Sequence, residues 1–457
     1  MNIPSSAFSR RDWLRSASAG FGYMAFAGLA ASGVARATAS PLSVKSPHFA
    51  ARAKRVIFLC MRGGPSHMET FDPKPALSAA NGKQGRHSNC KVLGSRWVFQ
   101  NHGQSGMGIV ELLPEIGKHA DKHCVLRGMH TENENHPQAL EQLHTGSFQF
   151  IRPSMGAWAV YGLGTENQSL PGFISINPLT ALGGTRYYSS SFLPAACSAT
   201  MLGNASMAPK ELRLGDLNNP RVTSASQRAQ LDLLQGMNRD LLAKTADPRV
   251  EGLIESYELA FRMQGEFPGV MDLSTESART LEMYGADKGP AQTFGKQCLL
   301  ARRFAESGVR FIEITHTDWD HHGFLSNGMT RNCQQIDKPI AGLLQDLDQR
   351  GLLADTLVLW GGEFGRTPED PTTDGRGHNN KGYCMWMAGG GVKGGHVHGA
   401  TDDLGYEAVE GKVHIHDLHA TMLHLLGLDH ERLTYRYGGR DFRLTDVKGH
   451  VVREIFA

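Results

Sequence analysis

Thr356-Leu357-Val358-Leu359-Trp360-Gly361-Gly362-Glu363-Phe364-Gly365-Arg366-Thr367 is the stretch that decides how this 457-residue chain folds. An unbroken apolar run meets a glycine pair, and a carboxylate and a guanidinium follow directly. Such a run, without polar alternation and closed by glycines, reads as a buried strand of a parallel sheet. Ligands of open α/β sheets collect beyond the ends of their strands. Glu363 and Arg366 therefore stand where a binding edge is expected.

The pattern recurs elsewhere in the chain. Val309 to Ile314 precedes Trp319-Asp320-His321-His322, and Lys54 to Met61 precedes Arg62-Gly63-Gly64-Pro65-Ser66-His67. His123 to Met129 leads into His130-Thr131-Glu132-Asn133-Glu134-Asn135-His136-Pro137 and then a helix over Gln138 to Thr145, with Pro137 suited to its first turn. Gly377-His378-Asn379-Asn380 adds a further donor-bearing loop. Asp337 is expected to head a helix carrying Ile340, Leu343, Leu344 and Leu347 on one face and ended by Gly351. Asp417 is expected to head another, with Leu418, Met422, Leu425 and Leu426 aligned and Gly427 as its stop. Residues 165–290 differ in texture: loops rich in Gly, Ser and Asn, then an amphipathic run through Leu253, Ile254, Tyr257, Phe261 and Gln264. They read as an elaboration carried on the sheet domain.

The amino terminus bears on where the protein works. Ser9-Arg10-Arg11-Asp12-Trp13-Leu14 opens a twin-arginine export signal, followed by a Gly/Ala-rich stretch and small-residue cleavage options near Ala35 to Ala39. That stretch falls short of the ~20 strongly apolar residues a membrane span requires. The reading is a signal over 1–39, an encounter with the twin-arginine translocase, a periplasmic or extracellular destination, and no integral membrane segment after processing. A mature domain over 40–457 is long enough for one large α/β unit. Lys and Arg number 47 against 45 Asp and Glu, so no global field argues for nucleic acid. Seven Cys occur without CxxC or zinc-ribbon spacing, and most lie in apolar runs as expected of buried thiols. The 21 His are the compositional oddity.

Met61 to Lys74, Gly361 to Pro368 and Val413 to Gly427 together resemble the DUF1501 family of exported bacterial proteins, over nearly the whole mature chain. That family is in turn similar to the alkaline phosphatase-like superfamily, which includes the sulfatases. The resemblance implies an α/β fold, a large mainly parallel sheet sandwiched between helices, with metal ions at the strand ends. Glu363-Phe364-Gly365 stands where sulfatases write Asp-His-Gly, so one carboxylate replaces another and a His is lost. Asn135 stands where they carry the nucleophile, and Ala139 where they carry an Arg. An amide supplies no nucleophilic oxygen, so the usual sulfatase mechanism is not expected. A metal-binding Asp after the first strand is also missing; either His67 takes over as ligand, or the backbone N–H groups of the glycine turn hold an anion there.

A divalent cation needs three or four donors at about 2.0 to 2.2 Å. Asp320, His322, Glu363 and His378 supply them from three loops, with Asp318 and His316 as competing spacings. Mixed imidazole and carboxylate donors favour Zn or Mn over Mg. A bound ion acidifies its water toward a pKa of about 7, and that hydroxide can replace a covalent nucleophile. Arg366 is the candidate clamp for an anionic ester, and His136 the candidate general acid or anion binder. Ser66 and Ser154 carry hydroxyls in undistinguished contexts. The expectation is an exported metal-dependent hydrolase of a small anionic or glycan ester, phosphate or sulfate. The alternative is a non-catalytic relative that binds an anionic or polysaccharide ligand.

Overall fold

In the computed structural model, which describes residues 40–179, 184–203, 217, 221–245 and 247–457, the first apolar run forms β1 (Arg55–Met61), buried at every residue. β2 (His123–His130) follows, then α1 (His136–Thr145), α2 (Met155–Leu163), β3 (Phe173–Ile176) and β4 (Thr200–Leu202). Two long helices, α3 (Ser224–Thr245) and α4 (Pro248–Met271), precede α5 (Gln292–Glu306) and β5 (Phe311–His316). The remainder comprises α6 (Leu325–Gln349), β6 (Thr356–Gly361), β7 (Tyr383–Ala388), β8 (His396–His398), β9 (Val413–His414) and α7 (Ile415–Leu425). The twin-arginine signal expected over 1–39 lies outside the described residues.

The nine strands join in the order β8-β2-β7-β6-β1-β5-β3-β4, with β9 also paired to β2. β1 is parallel to both β5 and β6, and β3 is parallel to both β4 and β5. β8 and β9 run parallel to β2, and β7 alone is antiparallel to its neighbours. The expected architecture is present: a large, mostly parallel sheet flanked by helices. Residues of β1, β5, β6 and β7 are all buried, which is why these strands read as continuous apolar runs. The register leaves Met61, His316 and Gly361 along one edge.

The stretch 165–290 is more than an appendage, because β3 and β4 extend the main sheet. Within α4 the buried face carries Ile254, Leu259, Met263, Phe267 and Val270, whereas Leu253 and Tyr257 are exposed, so the face expected from sequence is rotated. α6 begins at Leu325, well before Asp337. The Asp337 carboxylate instead receives the backbone N–H groups of Glu115 (3.0 Å) and Ile116 (2.8 Å), capping the short helix Pro114–Gly117. At the start of α7 the capping residue is His414, and Asp417 is third in the helix, accepting the His414 N–H at 2.9 Å. All seven cysteines are free, and six of them are buried.

Candidate functional site

The edge is built on two glycines. Gly63 sits at φ +114, and a Cβ there would lie 2.7 Å from the Asp320 backbone nitrogen. Only glycine lets the turn after β1 press so closely against the loop that carries Asp320. The Gly63 N–H is shared by the two oxygens of the wholly buried Glu363, at 3.0 and 3.2 Å. Gly64, at φ +69, makes room for the ring of Phe364 in the same way.

The loop after β5 is equally constrained. Trp319 is fully buried, and its indole N–H donates to His316 Nδ1 at 3.0 Å while His316 Nε2 faces Gln335 at 3.0 Å. Both nitrogens of His316 are thus occupied, and burial drives its pKa down to about 4. Asp318, in the left-handed region at φ 72, is exposed and faces Arg331 at 3.8 Å. Between the competing spacings, the residues turned to the shared site are Asp320 and His322.

His136, Asp320 and His378 bring one donor atom each to within 4.8 Å of one another. His136 Nδ1 lies 2.6 Å from Glu363 Oε1, and His378 Nδ1 lies 2.6 Å from the Glu134 carbonyl oxygen. Facing acceptors, both Nδ1 atoms donate, so in the neutral rings each Nε2 carries its lone pair. Those atoms point at Asp320, 3.2 Å from Oδ2 for His136 and 3.3 Å from Oδ1 for His378. His136 Nε2 is buried without a hydrogen-bond partner of sound geometry. His322 Nε2 completes the group, 3.1 Å from Asp320 Oδ1 and 2.9 Å from His378 Nε2. Lone pairs and carboxylate oxygens facing one another at these distances call for a positive charge among them.

A proton meets the demand in part. Burial lowers the His136 pKa, but the Asp320 and Glu363 carboxylates outweigh it and raise the value to about 9. Burial likewise disfavours ionised Asp320, yet His136, His378 and Arg366 hold its carboxyl well below the usual range. For His322 burial dominates and lowers the pKa. A divalent cation fits the same arrangement. Metal-binding imidazoles characteristically donate their other N–H to a carboxylate or a backbone carbonyl, as His136 and His378 do here. Glu363 holds the His136 ring and Gly63, and is absent from the converging donor group.

Two expected residues lie otherwise. Arg366, on the ribbon Gly365–Arg366 paired with His378–Asn379, is buried and donates to the carbonyls of Gly63, Gly64 (2.9 Å), Trp319 (3.3 Å) and Arg376 (3.2 Å) and to Asp320 at 2.6 Å. Its donors are committed to holding the loops, so an anion clamp does not fit it. His67 is buried with Nε2 3.0 Å from the Gly405 carbonyl, beneath Gly365 and apart from the converging donors. The Asn135 side chain donates to Gln138 Oε1 at 2.5 Å. Ser154 caps α2, accepting from the Ala157 N–H at 3.3 Å, and Ser66 Oγ is buried without a partner. Sequence reading passed over Arg62, whose Nε at the end of β1 is buried without a hydrogen-bond partner. Its only advance signal was a charge directly after a buried strand.

A profile of the family described as "Protein of unknown function (DUF1501)" matches residues 53–456. No curated protein matches the chain. Among solved structures, it is similar to a sulfatase from Pseudoalteromonas sp. (13% identity, 83% of this chain, 69% of that one, TM-score 0.39). It is also similar to a lipoteichoic acid synthase from Listeria monocytogenes (10%, 88% and 78%, 0.38). Alkaline phosphatase from the Antarctic bacterium TAB5 is a third (12%, 76% and 92%, 0.32). No helix among the described residues is long and apolar enough to cross a membrane.

Proposed function

The chain belongs to the DUF1501 family, and from that premise we propose that it is an exported, metal-dependent hydrolase of phosphate or sulfate esters or a related anionic bond. The supporting observation is the convergence of His136, Asp320 and His378 at the carboxyl-terminal edge of the parallel sheet, with His322 adjoining. His136, Asp320 and His378 would hold the ion, and two imidazoles with one carboxylate suit Zn or Mn. When bound, such an ion supplies Lewis acidity and makes a nearby water easier to deprotonate. Glu363 and the Glu134 carbonyl keep the His136 and His378 rings turned toward the ion.

Water is the nucleophile in this reading, because Asn135 offers an amide at the head of α1 and no hydroxyl. The ester oxygen leaves as an alcohol after taking a proton, and the anionic half gains the water oxygen. We assign the proton relay to His322, the exposed imidazole of the group, whose lowered pKa keeps it neutral and basic at pH 7. Binding of the substrate's anionic head falls to Arg62, which keeps donor capacity that Arg366 has spent.

The test is metal analysis of the mature chain beside Asp320→Asn and His378→Ala, followed by a panel of aryl phosphates and sulfates with Zn and Mn. The expected result is that both variants lose one equivalent of metal relative to wild type, along with turnover. A folded, metal-free wild type that turns over none of the panel yet retains an anionic glycan would replace the hydrolase with a non-catalytic binder.

A further inference from the structure

A second group of imidazoles lies outside the cluster just described, where β9 passes into α7. His416 is almost wholly buried, and its Nε2 stands 2.8 Å from the Gly146 carbonyl oxygen, just past the end of α1. A carbonyl only accepts, so Nε2 carries the hydrogen and Nδ1 of the neutral ring carries the lone pair. His414 Nε2 stands 2.7 Å from Glu132 Oε2, so that nitrogen also donates. In the neutral ring Nδ1 carries the single lone pair; without metal it faces the backbone N–H of His416 at 3.2 Å, a contact that an ion at Nδ1 would replace. Yet the two Nδ1 atoms face each other at 3.1 Å.

Two lone pairs do not settle at that distance with nothing between them. A shared cation removes the conflict, and the spacing has the right size for one. Donors bound at 2.0 to 2.1 Å in neighbouring positions of one ion stand roughly 2.9 to 3.4 Å apart. The outward nitrogens match as well: one donates to a carboxylate and the other to a backbone carbonyl, the pattern that orients metal-binding imidazoles. Glu132 is itself held, by Lys448 Nζ at 2.6 Å, by Gln142 and by His414. A surface cavity of about 500 Å³ adjoins His414 and is bordered by His130, Glu132, Asp417 and Lys448, and water entering from it would complete the coordination. The amino end of α7 is unfavourable to a cation. Glu132 and Asp417 offset it, the latter accepting the N–H groups of His414 (2.9 Å) and His450 (2.7 Å).

We propose that His414 and His416 chelate, through their Nδ1 atoms, a second divalent cation of the nitrogen-preferring class (Zn, Ni or Co), distinct from the His136, Asp320 and His378 site. Glu132 positions the His414 ring. The ion joins the head of α7 to the loop after β2 and, through His416 and Gly146, to the end of α1. Its role is that of a structural clip at the same sheet edge as the candidate active site.

Because the proposal does not depend on the first site binding metal, it is tested in a chain where that site is disabled. Mature Asp320→Asn is stripped with chelator, dialysed against Co2+, and assayed for bound metal and visible absorption. About one equivalent with ligand-field bands is expected. It is expected to vanish in Asp320→Asn/His416→Gln and in Asp320→Asn/His414→Asn, the latter keeping an acceptor for the helix cap. Circular dichroism identifies which double variants are folded, and the folded ones decide. Asp320→Asn without stoichiometric cobalt, or a folded double variant that still binds it, overturns the proposal and leaves a shared proton as the resolution of the Nδ1 contact.

Discussion

His136 Nδ1 lies 2.6 Å from Glu363 Oε1, and the same ring turns Nε2 toward Asp320. One imidazole thus joins two carboxylates, and in the absence of metal it keeps a proton up to about pH 9. An ion entering at Nε2 must expel that proton. Below about pH 9 the apparent metal affinity is therefore expected to rise about tenfold per pH unit, levelling above it. Calorimetric titration at pH 7 in two buffers of different ionisation enthalpy should record about one proton released per ion from this site. Binding with no proton release would separate His136 from the metal.

Arg366 is the second point of leverage. Its guanidinium spans carbonyls of the turn after β1, the Trp319 backbone and the Asp320 carboxylate, and it is almost completely buried. Lysine carries the charge without the planar fork. Arg366→Lys is expected to cost about 3 kcal/mol or more, because buried carbonyls and a carboxylate lose their partners. Denaturant unfolding measures it, and a midpoint equal to wild type would contradict the structural role given to Arg366.

These two residues show what the sequence makes visible. β1 was expected at Lys54 to Met61 and occupies Arg55–Met61, because a strand buried on both faces leaves a composition no surface segment has. Asp320, His322 and His378 stand out by residue type directly beyond apolar runs, and the fold sets the three side chains beside one another. Partnerships across hundreds of residues leave no such mark. Asp337 has the look of a helix head, yet it caps a different helix, at Glu115 and Ile116. Arg366 has the look of a ligand clamp until the carbonyls of Gly63 and Gly64 are seen to take its donors. His136 was singled out, but its placement between Glu363 and Asp320 needs the folded sheet edge.

Gly63 sets the distance between two of those loops. A methyl group there would lie under 3 Å from backbone atoms of Trp319 and Asp320, at a φ of +114 that side chains resist. Gly63→Ala is expected to cost about 2 to 3 kcal/mol and to move Asp320 away from His136 and His378. Metal affinity should fall along with thermal stability. An alanine variant that binds metal like wild type would mean the loop accommodates the Cβ without disturbing Asp320.

His123 supplies an independent test, in acid. It is fully buried beside Trp386, with ring centroids 4.6 Å apart, and neither ring nitrogen has a partner. Burial lowers its pKa to about 3, against roughly 6.5 in an unfolded chain. The unfolded state therefore binds the proton first. The stability from keeping this ring neutral is complete above pH 6.5 and is lost progressively as the pH falls toward 3. His123→Phe keeps an aromatic ring against Trp386 and removes the proton site. Between pH 7 and 4.5 its unfolding free energy should fall by about 2 to 3 kcal/mol less than that of the wild type. Parallel urea-unfolding curves for the two proteins across that range would place the acid sensitivity elsewhere, with the similarly buried His419, also lowered to about 3, as the next ring to replace.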